Sequence, residues 1–321
     1  TYFCDNIDLK STPEGLNKSF DVNLIARRSS IKRSHQIDLK KINIFGSFFS
    51  YLLAIFSSIK DKEAKYLLIS ISPYTFFVCI FLKIFKKKPI IYLRSNGFEE
   101  YKIILGYLGI FIYYIMFTIS TNISTIVSCR HYILRGKKGF VIQPSQLNSA
   151  WIANQTKSNF NEKKLLYVGR IRKEKGIFSL IEIIKNKKDI HLTIAGEEEN
   201  KPSKLNQENI EILKIINNQN ELIRLYDRHN IFILPSFTEG DPMALLESLS
   251  RLRPVIIFKD IKHVIQNRAG IFIAERSYEG LNQTINHIIK NYENIQEMMK
   301  KNKLPLYDDF IKNLNNIILN C

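Results

Sequence analysis

Short apolar runs alternate along the chain with segments in which apolar residues recur every three or four positions. The runs are apolar at consecutive positions, which is typical of strands buried on both faces of a parallel sheet. The longer segments have the period of amphipathic helices. This alternation predicts an α/β protein whose parallel sheets are covered by helices. The predicted strands are residues 21–26, 41–45, 66–71, 89–93, 125–128, 140–142, 165–168, 190–195, 210–215, 231–234, 254–258 and 271–273.

The alternation is interrupted at a polar, irregular stretch over residues 143–161. We interpret this stretch as a linker between two doubly wound, Rossmann-like domains, residues 1–150 and 151–321. A length of 321 residues suits two such domains. Two such domains in tandem are expected to face a cleft at the carboxyl ends of their strands, where ligands bind in this architecture. The last helix is expected to remain with the second domain or to pack back on the first.

No charged residue occurs between positions 103 and 129, and residues 103–119 are predominantly apolar. That length is close to a marginal membrane span. A span would place residues 1–100 and 130–321 on opposite sides of a membrane, although both belong to one strand–helix alternation. The sequence therefore predicts a helix at 99–117 that is not a span. It is either buried in the core or lies in a membrane interface.

The formal net charge of the chain is +17, and residues 1–150 carry +12 of it. Such an excess indicates an anionic partner, which can be a nucleic acid, a membrane or a phosphate-bearing substrate. Zinc-finger spacing, RNP-type aromatic motifs and basic regions with heptads are absent from the sequence, so we expect no nucleic-acid partner. Three lysines at 86–88 follow an apolar segment, which fits either an anionic membrane surface or a solvated helix end. The four cysteines are far apart, as in a reducing compartment.

The segment 237–247 combines a loop, a helix start and two glutamates. Asp241 suits an N-cap and Pro242 suits the first helical position. The next three backbone amides would then lack helical partners and could bind a phosphate. Glu247 lies further along the helix and could accept hydrogen bonds from ribose hydroxyls, whereas Glu239 would lie on the other side of the phosphate. Taken by themselves, the two glutamates could also be solvated charges. The three backbone amides expected to be unpaired at the helix start belong to Met243, Ala244 and Leu245.

A second segment, 166–177, joins a predicted strand to a helix. The strand is followed by Gly169 and Arg170, and Lys175 lies near the helix start. Two cations at the carboxyl end of a strand could grip a diphosphate, with arginine as a planar fork and lysine as a point charge. They would stabilise a departing nucleoside diphosphate. A solvated basic turn is the alternative interpretation.

Together these segments resemble the retaining glycosyltransferase family 4, also described as glycosyl transferases group 1, which has the GT-B fold. The pattern of that family is a Gly-Arg…Glu-Lys-Gly turn followed by a Pro-Ser…Glu-Gly-x-Pro…Leu-Leu-Glu box. Both elements occur here in the same order and spacing, over most of residues 163–275. Residues 1–150 match the family in layout alone.

The resemblance implies transfer of a sugar, with retention, from a UDP- or GDP-linked donor to a glycan or polyprenyl-linked acceptor, as in cell-surface polysaccharide synthesis. It implies no metal or other cofactor. Separately, the net charge of +12 and the Phe/Ile-rich helices of residues 1–150 lead us to expect a cytoplasmic protein that is peripheral to an anionic membrane surface, the inner face of the cell membrane. Arg170 and Lys175 would bind the diphosphate, Glu247 the ribose, and Glu239 the donor sugar near the reacting carbon. The remaining donor-binding residues implied by the resemblance are Gly169, Gly240, Asp241, Pro242, Met243, Ala244 and Leu245.

The sequence departs from the family pattern in its first half. The Gly-rich loop after the first strand is missing, and the first unit is shortened. Where the family often has a histidine, after the strand at 89–93, this chain has Arg94 and then Asn96, which we expect on the acceptor side. These departures leave a second hypothesis, a degenerate GT-B domain that binds a nucleotide sugar or a membrane without turnover.

Overall fold

The computed structural model describes residues 2–4, 7–29, 35–156, 158, 163–196 and 208–321. The chain forms two compact units. The amino-terminal unit contains Thr1–Gln146 together with Tyr307–Cys321, and the carboxyl-terminal unit contains Leu147–Leu306. The last fifteen residues therefore belong to the same unit as the beginning of the chain.

Most strands occupy the positions at which the apolar runs predict them. The strands are β1 (Tyr2–Cys4), β2 (Asn23–Arg27), β3 (His35–Ile37), β4 (Lys41–Phe45), β5 (Tyr66–Ile69), β6 (Pro89–Leu93), β7 (Thr125–Ser128), β8 (Phe140–Val141), β9 (Lys163–Val168), β10 (Ile190–Ala195), β11 (Ile210–Leu213), β12 (Ile231–Leu234), β13 (Val255–Phe258) and β14 (Ile271–Ala274).

Most helices connect successive strands, and α9, α10 and α11 follow the last strand. They are α1 (Ile7–Leu16), α2 (Phe48–Ser58), α3 (Pro73–Ile84), α4 (Gly97–Ile123), α5 (Ser149–Ile152), α6 (Ile177–Ile184), α7 (Gln219–Asp227), α8 (Met243–Ser250), α9 (Tyr278–Lys290), α10 (Tyr292–Met299) and α11 (Tyr307–Asn320).

The carboxyl-terminal unit is built on one parallel sheet of six strands. Their order is β11-β10-β9-β12-β13-β14, the strand order of the Rossmann fold. Every neighbouring pair is parallel. The central strand β12 is buried throughout and β9 is buried at residues 165–167, which confirms the prediction of a doubly wound sheet covered on both faces.

The amino-terminal unit contains a parallel sheet of order β5-β6-β7-β8 and two smaller pairs, β2-β4 and β1-β3. Successive side chains of a strand point to opposite faces, so the sheet has two apolar cores. One face, with Ile91 and Leu93, packs on α2, α3 and α4. The other, with Ile90 and Tyr92, packs on α1 and on α11 through Phe310. Helix α11 thus completes the core of the amino-terminal unit.

Several predicted bounds were wrong, for local reasons. β5 ends at Ile69 instead of residue 71, since Ser70 takes a left-handed φ of 61° that cannot continue a strand. The predicted linker contains the short helix α5, in which Trp151 is buried. The antiparallel pair β1-β3 was not predicted, because each strand is three residues long and neither contains a buried residue.

Candidate active site

The candidate site lies where the order of the six-stranded sheet reverses. β9 and β12 are neighbours there although they are far apart in sequence, and their connections leave in opposite directions. Ligands of open α/β sheets bind outside the carboxyl ends of strands at this point. The loops 169–176 and 235–242, which lie in or next to the two segments singled out in the sequence, 166–177 and 237–247, follow β9 and β12 directly. The fold of the carboxyl-terminal unit therefore brings both to one edge of one sheet.

An ion pair joins the two segments. Lys175 Nζ lies 2.8 Å from Glu239 Oε1, and Ser236 Oγ donates to the same oxygen at 2.6 Å. The side chain of Glu239 is 8% exposed and that of Lys175 is 19% exposed. A carboxylate so far withdrawn from water needs such partners, because an unpaired buried charge is costly. Two residues selected from separate motifs are thus placed together, with opposite charges in contact.

Backbone contacts hold the two loops against each other. The Phe237 amide donates to the Glu174 carbonyl at 3.0 Å. Gly176 has a left-handed φ of 67°, and a Cβ at this position would lie 1.9 Å from the Pro235 carbonyl oxygen. Both observations require glycine at residue 176. The close approach of Gly176 to Pro235 allows Lys175 to reach Glu239.

Helix α8 begins one residue later than the sequence predicts. Pro242 is the N-cap residue with φ −72° and ψ 115°, so Asp241 lies before the cap and Pro242 is not the first helical residue. The extended ψ of Pro242 is the reason, because it cannot continue into the helix. The side chain of proline has no polar group with which it could cap this helix end. The Leu245 amide donates to the Pro242 carbonyl at 3.2 Å, so of the three amides expected to be unpaired, Leu245 is paired.

Glu247 lies one turn inside α8 and is held by a tyrosine. Tyr226 OH donates to Glu247 Oε2 at 2.9 Å and lies 3.2 Å from the Ala244 carbonyl. Burial and the neighbouring carboxylate raise the pKa of Tyr226 well above its usual value, so the phenol stays a neutral donor. Tyr226 belongs to α7 and was missed in the sequence, where it is part of an ordinary apolar helix face.

Arg170 follows Gly169 at the end of β9. Its carbonyl accepts a 2.8 Å hydrogen bond from the phenol of Tyr167, whose pKa is raised by burial. The Arg170 side chain is partly exposed, and within the described part of the chain no hydrogen bond or ion pair holds its guanidinium. The backbone of Arg170 is therefore fixed, whereas its charge can turn towards an anion.

Two further side chains near the site, His263 and Arg276, were not selected from the sequence. His263 Nε2 lies 2.8 Å from the Glu239 carbonyl. Arg276 donates to the Pro235 carbonyl at 3.0 Å, pairs with Asp260 at 2.8 Å and stacks 4.2 Å from the rings of Phe237 and Phe258. No local motif marks either residue, because both reach the loop after β12 from later connections of the sheet.

The expected acceptor-side residues lie in the amino-terminal unit. Arg94 follows β6, and Asn96 is the N-cap residue of α4, where its side chain makes no capping hydrogen bond. Both side chains are partly exposed. Among the described residues, no cluster of three or more His, Cys, Asp or Glu side chains is arranged to hold a metal ion.

The site lies inside a segment with known relatives. Residues 148–304 match the model of the family described as "Glycosyl transferases group 1". A curated protein of Haemophilus influenzae, described as an uncharacterized glycosyltransferase, is 26% identical over 163 residues. That match spans 47% of this chain and about half of the relative, 46% of its length.

Solved structures resemble the chain over most of its length. WaaG, a glycosyltransferase involved in lipopolysaccharide biosynthesis, is 12% identical with a TM-score of 0.68, covering 99% of this chain and 97% of WaaG. Sucrose-phosphate synthase of Thermosynechococcus elongatus is 14% identical with a TM-score of 0.66, covering 98% and 92%. Anabaena HepE, solved with UDP and glucose, is 11% identical with a TM-score of 0.62, covering 88% and 86%. Residues 148–304 are therefore a glycosyl transferases group 1 domain, and the chain has the GT-B fold of two Rossmann-like domains.

Proposed function

We propose that the protein is a retaining hexosyltransferase of glycosyltransferase family 4, which moves a sugar from a UDP- or GDP-linked donor to a glycan or polyprenyl-linked acceptor. The observation that carries this proposal is the Lys175–Glu239 ion pair at the switch point of a group 1 domain. It brings a cation for the leaving diphosphate and a carboxylate for the sugar into one site. The cytoplasmic, membrane-peripheral setting and the role in cell-surface polysaccharide synthesis belong to the same proposal.

The diphosphate of the donor would be bound by positive charge and by backbone amides. Lys175 would contact it while remaining close to Glu239, and the guanidinium of Arg170 would turn to it from the end of β9. The N-terminus of α8, with the amides of Met243 and Ala244, favours a phosphate through its unpaired donors and dipole. Since negative charge grows on the diphosphate as the sugar departs, these groups stabilise the transition state more than the bound donor.

The two glutamates would hold the ends of the donor. Glu247 would accept hydrogen bonds from ribose hydroxyls, with Tyr226 fixing its orientation at 2.9 Å. Glu239 would contact the sugar near the reacting carbon through Oε2, since Lys175 and Ser236 both contact Oε1. The loop backbone at Gly169, Gly240, Asp241 and Pro242 would approach the sugar and phosphates, with Leu245 packed behind it. On the acceptor side, Arg94 and Asn96 would contact the incoming glycan.

A thermal unfolding screen with UDP, GDP and their sugar conjugates tests donor binding. We expect one nucleotide class to raise the unfolding temperature without added metal, since a ligand at 100 times its Kd stabilises the folded state by about 2.7 kcal/mol. Nuclear magnetic resonance of the glycoside product should then show the donor's anomeric configuration. An inverted product would contradict the retaining mechanism. Binding of a donor with neither transfer nor hydrolysis would instead support the degenerate GT-B domain.

Replacing Tyr226 by phenylalanine should weaken nucleotide binding about fivefold. The hydroxyl that orients Glu247 is lost. A hydrogen bond to a charged group contributes about 1.5–3 kcal/mol, and we expect about 1 kcal/mol of this to appear in nucleotide binding. Isothermal titration of the preferred nucleoside diphosphate measures the change. Tyr292→Phe is the matched control, because it removes a buried hydroxyl that donates to the Asn230 carbonyl at 2.7 Å. Equal losses of affinity in both variants would show that Tyr226 acts through packing alone.

A further inference from the structure

Three neighbouring strands of the amino-terminal sheet are followed by side chains that donate hydrogen bonds. β6, β7 and β8 lie side by side and are parallel. Arg94 is the first residue after β6, whereas Arg130 and Gln143 are the second residues after β7 and β8. The carboxyl ends of parallel strands share one edge of a sheet, so all three residues belong to the edge at which open α/β sheets bind ligands.

Hydrogen bonds hold the loops after β6 and β7 against each other. The Cys129 amide donates to the Leu93 carbonyl at 3.1 Å, and the Cys129 thiol donates to the Arg94 carbonyl at 3.2 Å. The Ser128 hydroxyl donates to the Arg130 carbonyl at 2.9 Å. Ser128 and Cys129 are themselves buried. The backbones of both arginines are therefore fixed, with Cys129 between them.

The loops that follow β6 and β7 carry positive charge. Residues 94–98 and 129–139 contain five lysines and arginines and no aspartate or glutamate. One of them, Arg135, has its guanidinium carbon 3.9 Å from the centre of the Phe98 ring, at the start of α4. The two glutamates that come next, at 99–100, are exposed to water. An excess of cations of this kind attracts negatively charged ligands.

Gln143 contributes a donor that the described part of the chain leaves without a partner. Its amide nitrogen Nε2 is buried and makes no hydrogen bond there. A buried donor without an acceptor is unfavourable, so a ligand that supplies an acceptor would be stabilised at this position. The side chain as a whole is partly exposed, and rotation of its terminal amide would turn the nitrogen outward.

The chemistry of these three side chains fits an anion better than a neutral sugar. Arg94 and Arg130 are partly exposed, and a guanidinium presents a planar fork of donors that matches two oxygens of a phosphate or carboxylate. A neutral hydroxyl both donates and accepts hydrogen bonds, so its recognition uses acceptors as well as donors. Of the three side chains, Gln143 alone has an acceptor atom.

We propose that the acceptor of the reaction carries a phosphate or a carboxylate, which Arg94 and Arg130 bind while Gln143 donates to the same group. This inference rests on the proposed function. It adds the chemical class of the acceptor and two residues, Arg130 and Gln143, that select it. A neutral sugar of the same shape should bind about tenfold more weakly, since it offers no charge to the two guanidinium groups.

Thermal unfolding of the full chain tests the inference with the donor site already filled. The protein is first saturated with the nucleoside diphosphate that it prefers. Glucose-6-phosphate, glucuronate and methyl glucoside are then titrated separately. We expect at least one of the two anionic sugars to raise the unfolding temperature, because a ligand of the folded state stabilises it, and methyl glucoside to leave it unchanged. The anionic sugar with the larger effect identifies the acceptor group as a phosphate or a carboxylate.

Substitutions then locate the anion. Arg94→Gln with Arg130→Gln should weaken binding of the anionic sugar about tenfold or more, since both charged forks are lost. Gln143→Glu should weaken it by a similar factor, because a carboxylate replaces the donor and repels the ligand. Lys62→Gln with Lys65→Gln is the control. It removes the same charge from exposed side chains that precede β5, at the opposite edge of the sheet, and should have little effect.

Circular dichroism shows whether each variant is folded, and its nucleotide affinity separates an acceptor role from a donor role. A response to methyl glucoside as large as that to the anionic sugars would contradict the inference. A response that survives Arg94→Gln with Arg130→Gln would contradict it too, as would an equal loss of nucleotide affinity in that variant. Nucleotide binding without any response to the anionic sugars would overturn this inference alone, whereas a protein that binds no nucleotide would overturn the proposed function with it.

Discussion

Replacing Lys175 by alanine is expected to lower kcat/KM for sugar transfer by about 10²–10³, or about 3–4 kcal/mol of transition-state stabilisation. The ammonium lies 2.8 Å from Glu239 in a site that is mostly withdrawn from water. A donor in the proposed orientation adds a diphosphate to the same cation. Because the charge on the diphosphate increases as the glycosidic bond breaks, most of the loss should be in kcat. Initial rates with the preferred donor, measured over a range of concentrations, separate kcat from KM.

The same variant should also be less stable, by about 1–3 kcal/mol in urea unfolding. Removing Lys175 takes away the cation that contacts the Glu239 carboxylate. This carboxylate is 8% exposed and would keep the Ser236 hydroxyl as a donor, so its negative charge would stay buried without the ammonium. Lys185→Ala is the control, because its ion pair with Glu182 is longer, 3.5 Å, and both side chains are more than half exposed. Exposed pairs of this kind contribute about 0–1 kcal/mol. Transfer within threefold of the unaltered protein would show that Lys175 does not act on the leaving group.

The sequence predicts the sheet of the carboxyl-terminal unit well because its strands are buried on both faces. Runs such as Ile231–Leu234 are apolar throughout, so they can be recognised as strands without knowing which strands lie beside them. The contact between Lys175 and Glu239 cannot be predicted from the sequence in this way. Each residue is recognisable in its own motif, but their contact depends on β9 and β12 being neighbours, and that adjacency is a property of the whole sheet.

Residues that support the site from other elements carry no local signal. Tyr226, His263 and Arg276 reach Glu247 or the Glu239 loop across the fold. Arg251 and Arg253 are each 1% exposed, although lysines and arginines are ordinarily found at the surface. Their burial depends on Asp227 and on backbone carbonyls supplied by distant residues. Only the tertiary structure brings those acceptors together, which is why a single sequence does not reveal them.

Helix α4 illustrates that one hydropathy pattern can fit two different positions of a helix. An uncharged run predicts a helix of this length, and both a core position and an interfacial one agree with it. In the structure the chain turns back at Gly106 within α4, so that Tyr113 is buried whereas Leu108 is exposed. The exposed face of α4 exists because the backbone conformation of Gly106 interrupts the helix and turns the chain back. Glycine permits a positive φ but does not require it, so the reversal is not readable from the residue itself.

Replacing Gly176 by alanine is expected to destabilise the protein by about 3–5 kcal/mol and to abolish donor binding. Two costs add at this position. A residue with a Cβ is strained at φ 67°, and the Cβ would lie 1.9 Å from the Pro235 carbonyl oxygen, which belongs to the backbone and cannot rotate away. The loop after β12 must therefore move, and Glu239 moves with it. Urea unfolding measures the first effect, and titration with the nucleoside diphosphate measures the second.

Gly136→Ala separates the two costs. Gly136 also has a left-handed φ, 79°, but a Cβ there would meet no atom within 4 Å. This variant has the unfavourable backbone conformation without a steric clash. We therefore expect its free energy of unfolding to fall by about 1 kcal/mol and its nucleotide binding to be normal. The excess loss in Gly176→Ala then measures the contact between the loops after β9 and β12. If the two variants lose the same stability, the Pro235 contact does not restrict residue 176, and the loops are held by Lys175 and Glu239 without it.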